Sequence, residues 1–305
     1  MAETWPSRAP AAILHLQARG ADQDSLRMTL IWCNGQWLEP SDFRIAPTDR
    51  GLMHGLGLFE TILAVDGHPV FAERHLARLA LGCQRLGWPF GFPDARQTMA
   101  ELAARNGFTS GRSRIRLNVT AGSGVMGDLT PGDDRLILMT AARAAEPPAT
   151  TTANLSPFVR NERSAFAGLK SNSYAENPVA LDHARRLGFE ETVFLNTVGN
   201  LCEAATSNLF LVRNGTLLTP SPASGCLQGI TRAVVIELAA RLDIPCEEAA
   251  LPAALIDEAD EVFLTSSIRG VMGVSRFEQR ALPAGPLTGQ LRLAWNGEVH
   301  RECGE

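Results

Sequence analysis

Lysine is almost absent. Lys170 is the single lysine in 305 residues, and every other member of the 28 basic residues is an arginine. Tyrosine is as scarce, with Tyr174 alone. A chain that uses arginine wherever a plain positive charge serves keeps a lysine where guanidinium cannot substitute. Guanidinium stays protonated, whereas a desolvated lysine loses its proton and attacks a carbonyl. By itself the count is equally compatible with drift that spared one surface lysine, so the surroundings of Lys170 decide. Positive charge is also in short supply overall. A net charge of -5 argues against nucleic acid as a main partner, since phosphate backbones require a basic surface. No apolar run reaches the length that crosses a bilayer, so no membrane partner is expected.

Paired cysteines and histidine clusters are missing as well. Cys33, Cys83, Cys202, Cys226, Cys246 and Cys303 show no C-x-x-C spacing, and the six histidines form no H-x-x-x-H pattern. The thiols read as reduced and mostly buried in a cytoplasmic protein, and no metal site is expected. No Gly-x-Gly-x-x-Gly precedes a helix and an acid, so dinucleotide binding is unsupported. Ala11 to Leu14 is too short an apolar run for a signal peptide and meets His15 at once. Residues 1–28 are expected to be a poorly ordered extension, with Met28 as an alternative start.

What remains is the composition of a soluble globular protein, 45% hydrophobic and 20% charged, with room for one large or two medium domains. Asn34-Gly35 and Asp66-Gly67 predict tight hairpins, with a strand from Phe59 to Val65. Leu76, Leu79, Cys83 and Leu86 predict an amphipathic helix over 72–87, and a second helix is expected over 94–106. Arg114 to Thr120 alternates as a half-buried strand. Asp49 to Gly57 is glycine-rich enough for a tight active-site loop. Glu146-Pro147-Pro148-Ala149 with the threonines that follow is the best linker. The expected organisation is a smaller α/β domain over 29–146, a linker over 147–153 and a larger domain over 154–305. The alternation of helices with hairpins indicates an α/β (α+β) fold with mixed sheets, not a doubly wound parallel one.

A reactive lysine raises the question of its carbonyl. Pyridoxal phosphate requires a Schiff-base lysine, a carboxylate at its pyridine nitrogen and donors for its phosphate. Glu203 supplies a carboxylate in a segment with little other charge, although a strand-end glutamate is ordinary by itself. Gly229-Ile230-Thr231 opens a helix whose free N–H groups suit a phosphate, although a threonine at a helix start is also common. Ser266 and Ser267 form a second hydroxyl-bearing turn, and Arg78 is placed to complete a phosphate clamp. Each piece is weak alone; together with a unique lysine they are not.

The resemblance becomes specific at this point. Asp49-Arg50-Gly51, Gly57-Leu58-Phe59-Glu60-Thr61, His75-Leu76-x-Arg78-Leu79 and Gly168-Leu169-Lys170-Ser171 resemble the fold-type IV pyridoxal-phosphate enzymes. So do Glu203 to Phe210 and Gly229-Ile230-Thr231-Arg232. The resemblance runs from about residue 30 to 277 with every motif in order. It implies a two-domain enzyme with pyridoxal 5'-phosphate in the interdomain cleft, usually as a homodimer. It further implies that Lys170 holds the cofactor and later moves the proton, while Glu203 faces the pyridine nitrogen. Arg78, the N–H groups of Ile230 and Thr231, and Ser267 would hold the phosphate, with Asn208 also at the cofactor.

Among the family's reactions, the pattern is closest to aminodeoxychorismate lyase, which expels pyruvate and leaves 4-aminobenzoate. Thr61 falls where lyases carry a hydroxyl proposed to assist elimination. Branched-chain enzymes typically have Phe-Glu-Gly-x-Arg here, and Leu63 stands at the arginine's place. The Arg-x-His carboxylate trap of D-amino-acid transaminases has no counterpart in Gly122 to Gly127. Arg269 is the candidate for a substrate carboxylate through its bidentate fork, with His54 and Phe59 as further substrate-side residues. The alternatives are an aminotransferase of branched-chain, D-amino-acid or R-amine type and a non-catalytic cofactor-binding protein.

Overall fold

Two-residue turns set the first sheet. Asn34 at φ 47° and Gly35 at φ 88° put both central residues in the left-handed region that a tight hairpin demands. They join β1 (Ile31–Cys33) to β2 (Gln36–Leu38). The computed structural model describes residues 29–283 and 285–304. The expected extension, 1–28, lies outside the described residues. The stretch anticipated as a glycine-rich loop contains a short helix, α1 (Arg50–His54), because Asp49 Oδ1 accepts from the N–H of Gly51 and Leu52. Gly55, at φ 66°, ends it. Next come β3 (Gly57–Val65), β4 (His68–Pro69), α2 (Ala72–Arg85) and α3 (Ala95–Arg105). β5 (Arg112–Thr120) and β6 (Ile137–Arg143) complete an antiparallel sheet of order β2-β1-β6-β5-β3-β4. The side chains of α2 and α3 that carry the predicted periodicity, among them Leu79, Cys83, Met99 and Leu102, bury against Leu58, Ile62 and Ile115 of this sheet.

The tract expected as a linker, 147–153, is a connection only as far as residue 149. From Thr150 onward it is strand β7 (Thr150–Arg160), in which Thr151 and Ala153 are buried. Threonine is β-branched and packs well on a pleated surface, so three in a row are polar in composition yet strand-forming in practice.

The second sheet follows with α4 (Glu176–Arg186), β8 (Glu191–Asn196), β9 (Leu201–Ala204), β10 (Asn208–Arg213) and β11 (Thr216–Pro220). After these come α5 (Ile230–Arg241), β12 (Cys246–Ala249), β13 (Glu261–Ser266), β14 (Gly270–Phe277), β15 (Arg280–Ala281) and α6 (Pro286–Glu302). Its order is β12-β11-β10-β13-β14-β7-β8-β9, with β15 paired to β14. Three of the pairings are parallel, β11 with β12, β14 with β7 and β7 with β8, and the rest are antiparallel. The mixed, hairpin-rich α+β fold expected from the sequence is what is found. One core lies under α5 and α6, and another on the opposite face around Val193, Leu209 and Leu264.

β3 serves both halves of the molecule. Leu58, Ile62 and Ala64 point into the first core. Leu63, on the other face, clusters with Val70, Phe71, Phe210 and Phe263 of the second.

Candidate active site

Lys170 reaches its place through its backbone. The N–H of Phe59 donates to Lys170 O at 2.8 Å, and that of Asn172 donates to Gly57 O at 2.8 Å. The lysine segment is thereby stitched to the start of β3. Its amine lies 4.6 Å from the centre of the Phe59 ring and 5.9 Å from that of Tyr174, and makes no hydrogen bond to any described residue. Burial, with the charge of Arg78 adding to it, pushes the Lys170 ammonium down to about 8, against the pull of Glu60 and Glu203. An amine in that range is neutral, and therefore nucleophilic, in about a tenth to a fifth of molecules near physiological pH.

Around this amine opens a cleft of about 800 Å³. Glu203 lines it from β9, with Oε2 accepting from the Leu227 N–H at 2.9 Å and Oε1 3.5 Å from Arg160 Nε. Burial raises its pKa, while Arg160 and the Leu227 N–H oppose that rise. α5 presents its N-terminus to the same cleft. Gly229 caps it with no side-chain hydrogen bond, leaving the first N–H groups to whatever lies in front. Glycine is required there, since a Cβ would sit 2.0 Å from Asn208 Oδ1. Asn208 itself donates to Leu227 O at 2.7 Å.

Arg78, on α2, is held from behind. Its Nε and Nη2 donate to the two oxygens of Glu60 at 2.8 and 2.6 Å, and its Nη1 to Gln228 O at 2.9 Å. His75 Nδ1 also meets Glu60, at 2.7 Å, and its Nε2 lies 3.3 Å from Ser267 Oγ. Burial alone would raise Glu60, but Arg78 and His75 outweigh it and hold the carboxyl down to about 2.

Of the residues expected from the sequence, Lys170, Glu203, Arg78, Asn208, Ile230, Thr231, Ser267 and His54 all line the cleft. Phe59, Thr61 and Arg269 do not. Phe59 is buried beneath the lysine amine. Thr61 stands two residues further along the same face of β3, half-buried and opposite Arg116. Arg269 is turned to the chain's own Glu191, with Nη1 3.5 Å from its Oε2. Glu191 also accepts from the Thr206 hydroxyl. A guanidinium already facing a buried carboxylate is not the open hook expected for a substrate.

Arg116 has the property sought in Arg269. It stacks 3.4 Å over the Phe59 ring, donates to Asn118 Oδ1 at 3.3 Å and has no carboxylate in ion-pair range among the described residues. Burial pushes its guanidinium down to about 10. The strand alternation that exposes Arg116 was visible in the sequence, but its alignment with Phe59 depends on the β3–β5 register. Arg160, 43 positions from Glu203 in the chain, gives no sequence signal. The Glu60–His75–Arg78 group left only a weak one, because His75 and Arg78 read as ordinary polar positions of the helix. Tyr174, the single tyrosine, lines the cleft and donates to Ala205 O at 3.0 Å. Burial, with help from Glu203, pushes its hydroxyl up to about 12.

The family model described as "Amino-transferase class IV" matches residues 57–277. The chain belongs to the class IV aminotransferase family. Aminodeoxychorismate lyase of Bacillus subtilis is 26% identical over 280 residues, covering 88% of this chain and 94% of that protein. A branched-chain-amino-acid aminotransferase of Salmonella typhimurium is 29% identical over 290 residues, covering 88% and 92%. Among solved structures, a candidate 4-amino-4-deoxychorismate lyase from Legionella pneumophila superposes with a TM-score of 0.79 at 27% identity, covering 84% of this chain and 96% of that one. The fold is therefore that of the fold-type IV pyridoxal-phosphate enzymes, and this protein is a pyridoxal-phosphate-dependent lyase or transaminase of the class IV family.

The residues present fit that cofactor. One buried amine is free, and the cleft also holds an uncapped helix N-terminus and a carboxylate. Ser207 Oγ and Thr265 Oγ1, on residues that line the cleft, are buried without hydrogen-bond partners. Buried polar atoms without partners are costly, and a polar, phosphorylated ring supplies what such atoms lack.

Proposed function

We propose that this enzyme is a lyase of the aminodeoxychorismate lyase type, which removes pyruvate from 4-amino-4-deoxychorismate and leaves 4-aminobenzoate. The observation that carries the reading is the pairing of Thr61 with Arg116 across β3 and β5. A hydroxyl and a guanidinium free of carboxylates thus lie side by side on the face that continues from Phe59, the ring beneath Lys170. A substrate with a carboxylate and a leaving group next to its amine-bearing carbon matches that pair.

When bound, pyridoxal 5'-phosphate supplies an electron sink for the pair of electrons left when a carbon beside nitrogen loses its proton. The remaining work belongs to the chain. Lys170 Nζ, neutral in a fraction of molecules, would hold the cofactor and would move the substrate proton. Glu203 would supply the carboxylate that a pyridine nitrogen needs. Arg78, Ser267 and the N–H groups of Ile230 and Thr231 would hold the phosphate through charge and free helix-end donors. Arg116 holds the substrate carboxylate, Thr61 hands a proton to the departing group, and His54 borders the substrate's entry. Phe59, buried under Nζ, excludes water from the reacting side.

The aminotransferase reading is favoured by one finding, the likeness to branched-chain enzymes at an identity slightly above that of the lyase. Purified protein supplied with 4-amino-4-deoxychorismate should release pyruvate and 4-aminobenzoate in equal amounts. Brisk conversion of amino donors in the half-reaction, with no aromatic amine formed, would replace the lyase by the transaminase.

We also infer a homodimer. Thr61, Arg116, Asn118 and Thr140 lie on one half-exposed face of the first sheet, and a second subunit over it would close the substrate side. The cytoplasm is the compartment that suits six cysteines of which none forms a disulfide among the described residues. No described helix is long and apolar enough to cross a membrane.

A further inference from the structure

Ser267 has one hydroxyl proton and two claims upon it. It lines the cleft with Arg78 and the start of α5, where a phosphate would call on it as a donor. Its Oγ also lies 3.3 Å from Nε2 of His75, a side chain only 1% exposed. The other ring nitrogen settles the direction of that contact. Nδ1 stands 2.7 Å from Glu60 Oε2, and Glu60 is an ionised acceptor with two donors from Arg78 already upon it. Nδ1 must therefore carry a hydrogen. In a neutral imidazole Nε2 is then a bare acceptor, and the Ser267 O–H donates to it. So arranged, Ser267 offers an incoming phosphate only lone pairs, which repel it.

Positive charge is short at the same place. Arg78 commits two of its nitrogens to Glu60 and one of these N–H groups per oxygen, so a carboxylate matches its guanidinium before any ligand arrives. Lys170, the only lysine, would be taken up by the cofactor's carbonyl. A phosphate dianion would enter a site whose single nearby cation is largely neutralised. His75 is the one titratable group in hydrogen-bond reach of Ser267.

We propose that His75 takes up a proton as a phosphate dianion binds, and that the resulting imidazolium frees Ser267 to donate to the phosphate. The proton comes from solvent and is bound at Nε2. Nε2–H then donates to Ser267 Oγ, Nδ1–H remains on Glu60, and the Ser267 O–H turns into the cleft. No covalent bond among heavy atoms changes, and the cluster gains one positive charge to meet two negative ones. The proposal rests on the reading that Ser267, Arg78 and the α5 N-terminus hold the phosphate.

The charged groups that face His75 are Glu60 from β3, Arg78 from its own helix and Lys170 from the segment after β7, with Ser267 on the turn between β13 and β14. Burial, with Arg78 and Lys170 adding to it, holds the imidazole below its ordinary range against the pull of Glu60. A dianion reverses that balance, since it brings the counter-charge a buried imidazolium needs. His75 is thus a positioning residue, acting on the phosphate through Ser267.

Pyridoxine 5'-phosphate tests this without forming an imine on Lys170, because it carries an alcohol in place of the aldehyde. Its binding to the full chain freed of cofactor is followed by calorimetry at about pH 8, where the phosphate is a dianion, in buffers of different ionisation heat. Wild type is expected to take up about one proton more than His75→Gln, whose amide donates to Ser267 without titrating. Pyridoxine, which lacks the phosphate, should show no such difference. Equal proton uptake by the two proteins overturns the proposal. Ser267→Ala separates it from the reading beneath it: a wild-type ratio of affinities for the two ligands means that the phosphate does not lie at Ser267. Nitrogen-15 signals of the histidine buried against Glu60 give a readout that needs no variant to fold. They should pass from the neutral Nδ1–H form to imidazolium when pyridoxine 5'-phosphate binds, and a ring that stays neutral refutes the switch.

Discussion

At the scale of single residues the chemistry depends on what each charged group has been denied. Lys170 is denied water and a carboxylate partner, and its ammonium falls to about 8. The sign of the consequence is fixed: the neutral, reactive amine gains as pH rises toward that value and saturates above it. The rate at which added pyridoxal 5'-phosphate becomes borohydride-trappable on Lys170 should therefore rise about tenfold per unit below pH 8 and level off beyond it. A flat profile would mean that the amine is already neutral or paired. Arg116 is denied an acid. Arg116→Gln should raise KM for a carboxylate substrate by about 10- to 100-fold, the worth of a charged hydrogen-bond pair, while the absorbance of the bound cofactor stays unchanged. An unaltered KM would return the carboxylate to Arg269 or elsewhere. The sequence revealed Lys170 and Glu203 because rarity and isolation are visible in one dimension. It did not single out Arg116 over Arg269, because the two differ only in what faces them, Phe59 for one and Glu191 for the other.

At the scale of elements, local codes were legible and tertiary ones were not. Asn34-Gly35 and Asp66-Gly67 turn where the dipeptides require it, and α2 and α3 fall within two residues of their expected spans. α1 escaped because its cap, Asp49, stands before glycines that read as a loop. α6 escaped although Leu287, Leu291, Trp295 and Val299 recur every fourth residue behind Pro286, a stripe interrupted by Gly289 and Gly297. The start of α5 yields a prediction of its own. Gly229→Ala places a methyl 2.0 Å from Asn208 Oδ1, so either the helix start or the asparagine must move. We expect a loss of about 2 kcal/mol in stability, read as a lower unfolding midpoint, together with weaker retention of the cofactor on dialysis. Full retention of both would show that the Asn208 amide yields without cost.

At the scale of the whole molecule, the connection between the two sheets is less a hinge than its proline content indicated, since β7 begins at Thr150 and the first sheet ends at Arg143. The stronger tie is β3, which carries Ile62 toward one core and Leu63 toward the other. Two cores that pack on opposite faces of one strand are poorly placed to melt one after the other. Denaturant unfolding is expected to follow one sigmoid whether it is watched through the tryptophans near the first core, Trp32 and Trp88, or through Trp295 in the second. Leu63→Ala should move that single transition to lower denaturant by about 3 kcal/mol without splitting it. Two separated transitions would show that the halves are thermodynamically independent. A cooperative protein of this kind loses its cofactor site and its fold together, so heat inactivation of the enzyme and exposure of its buried thiols should keep the same time course.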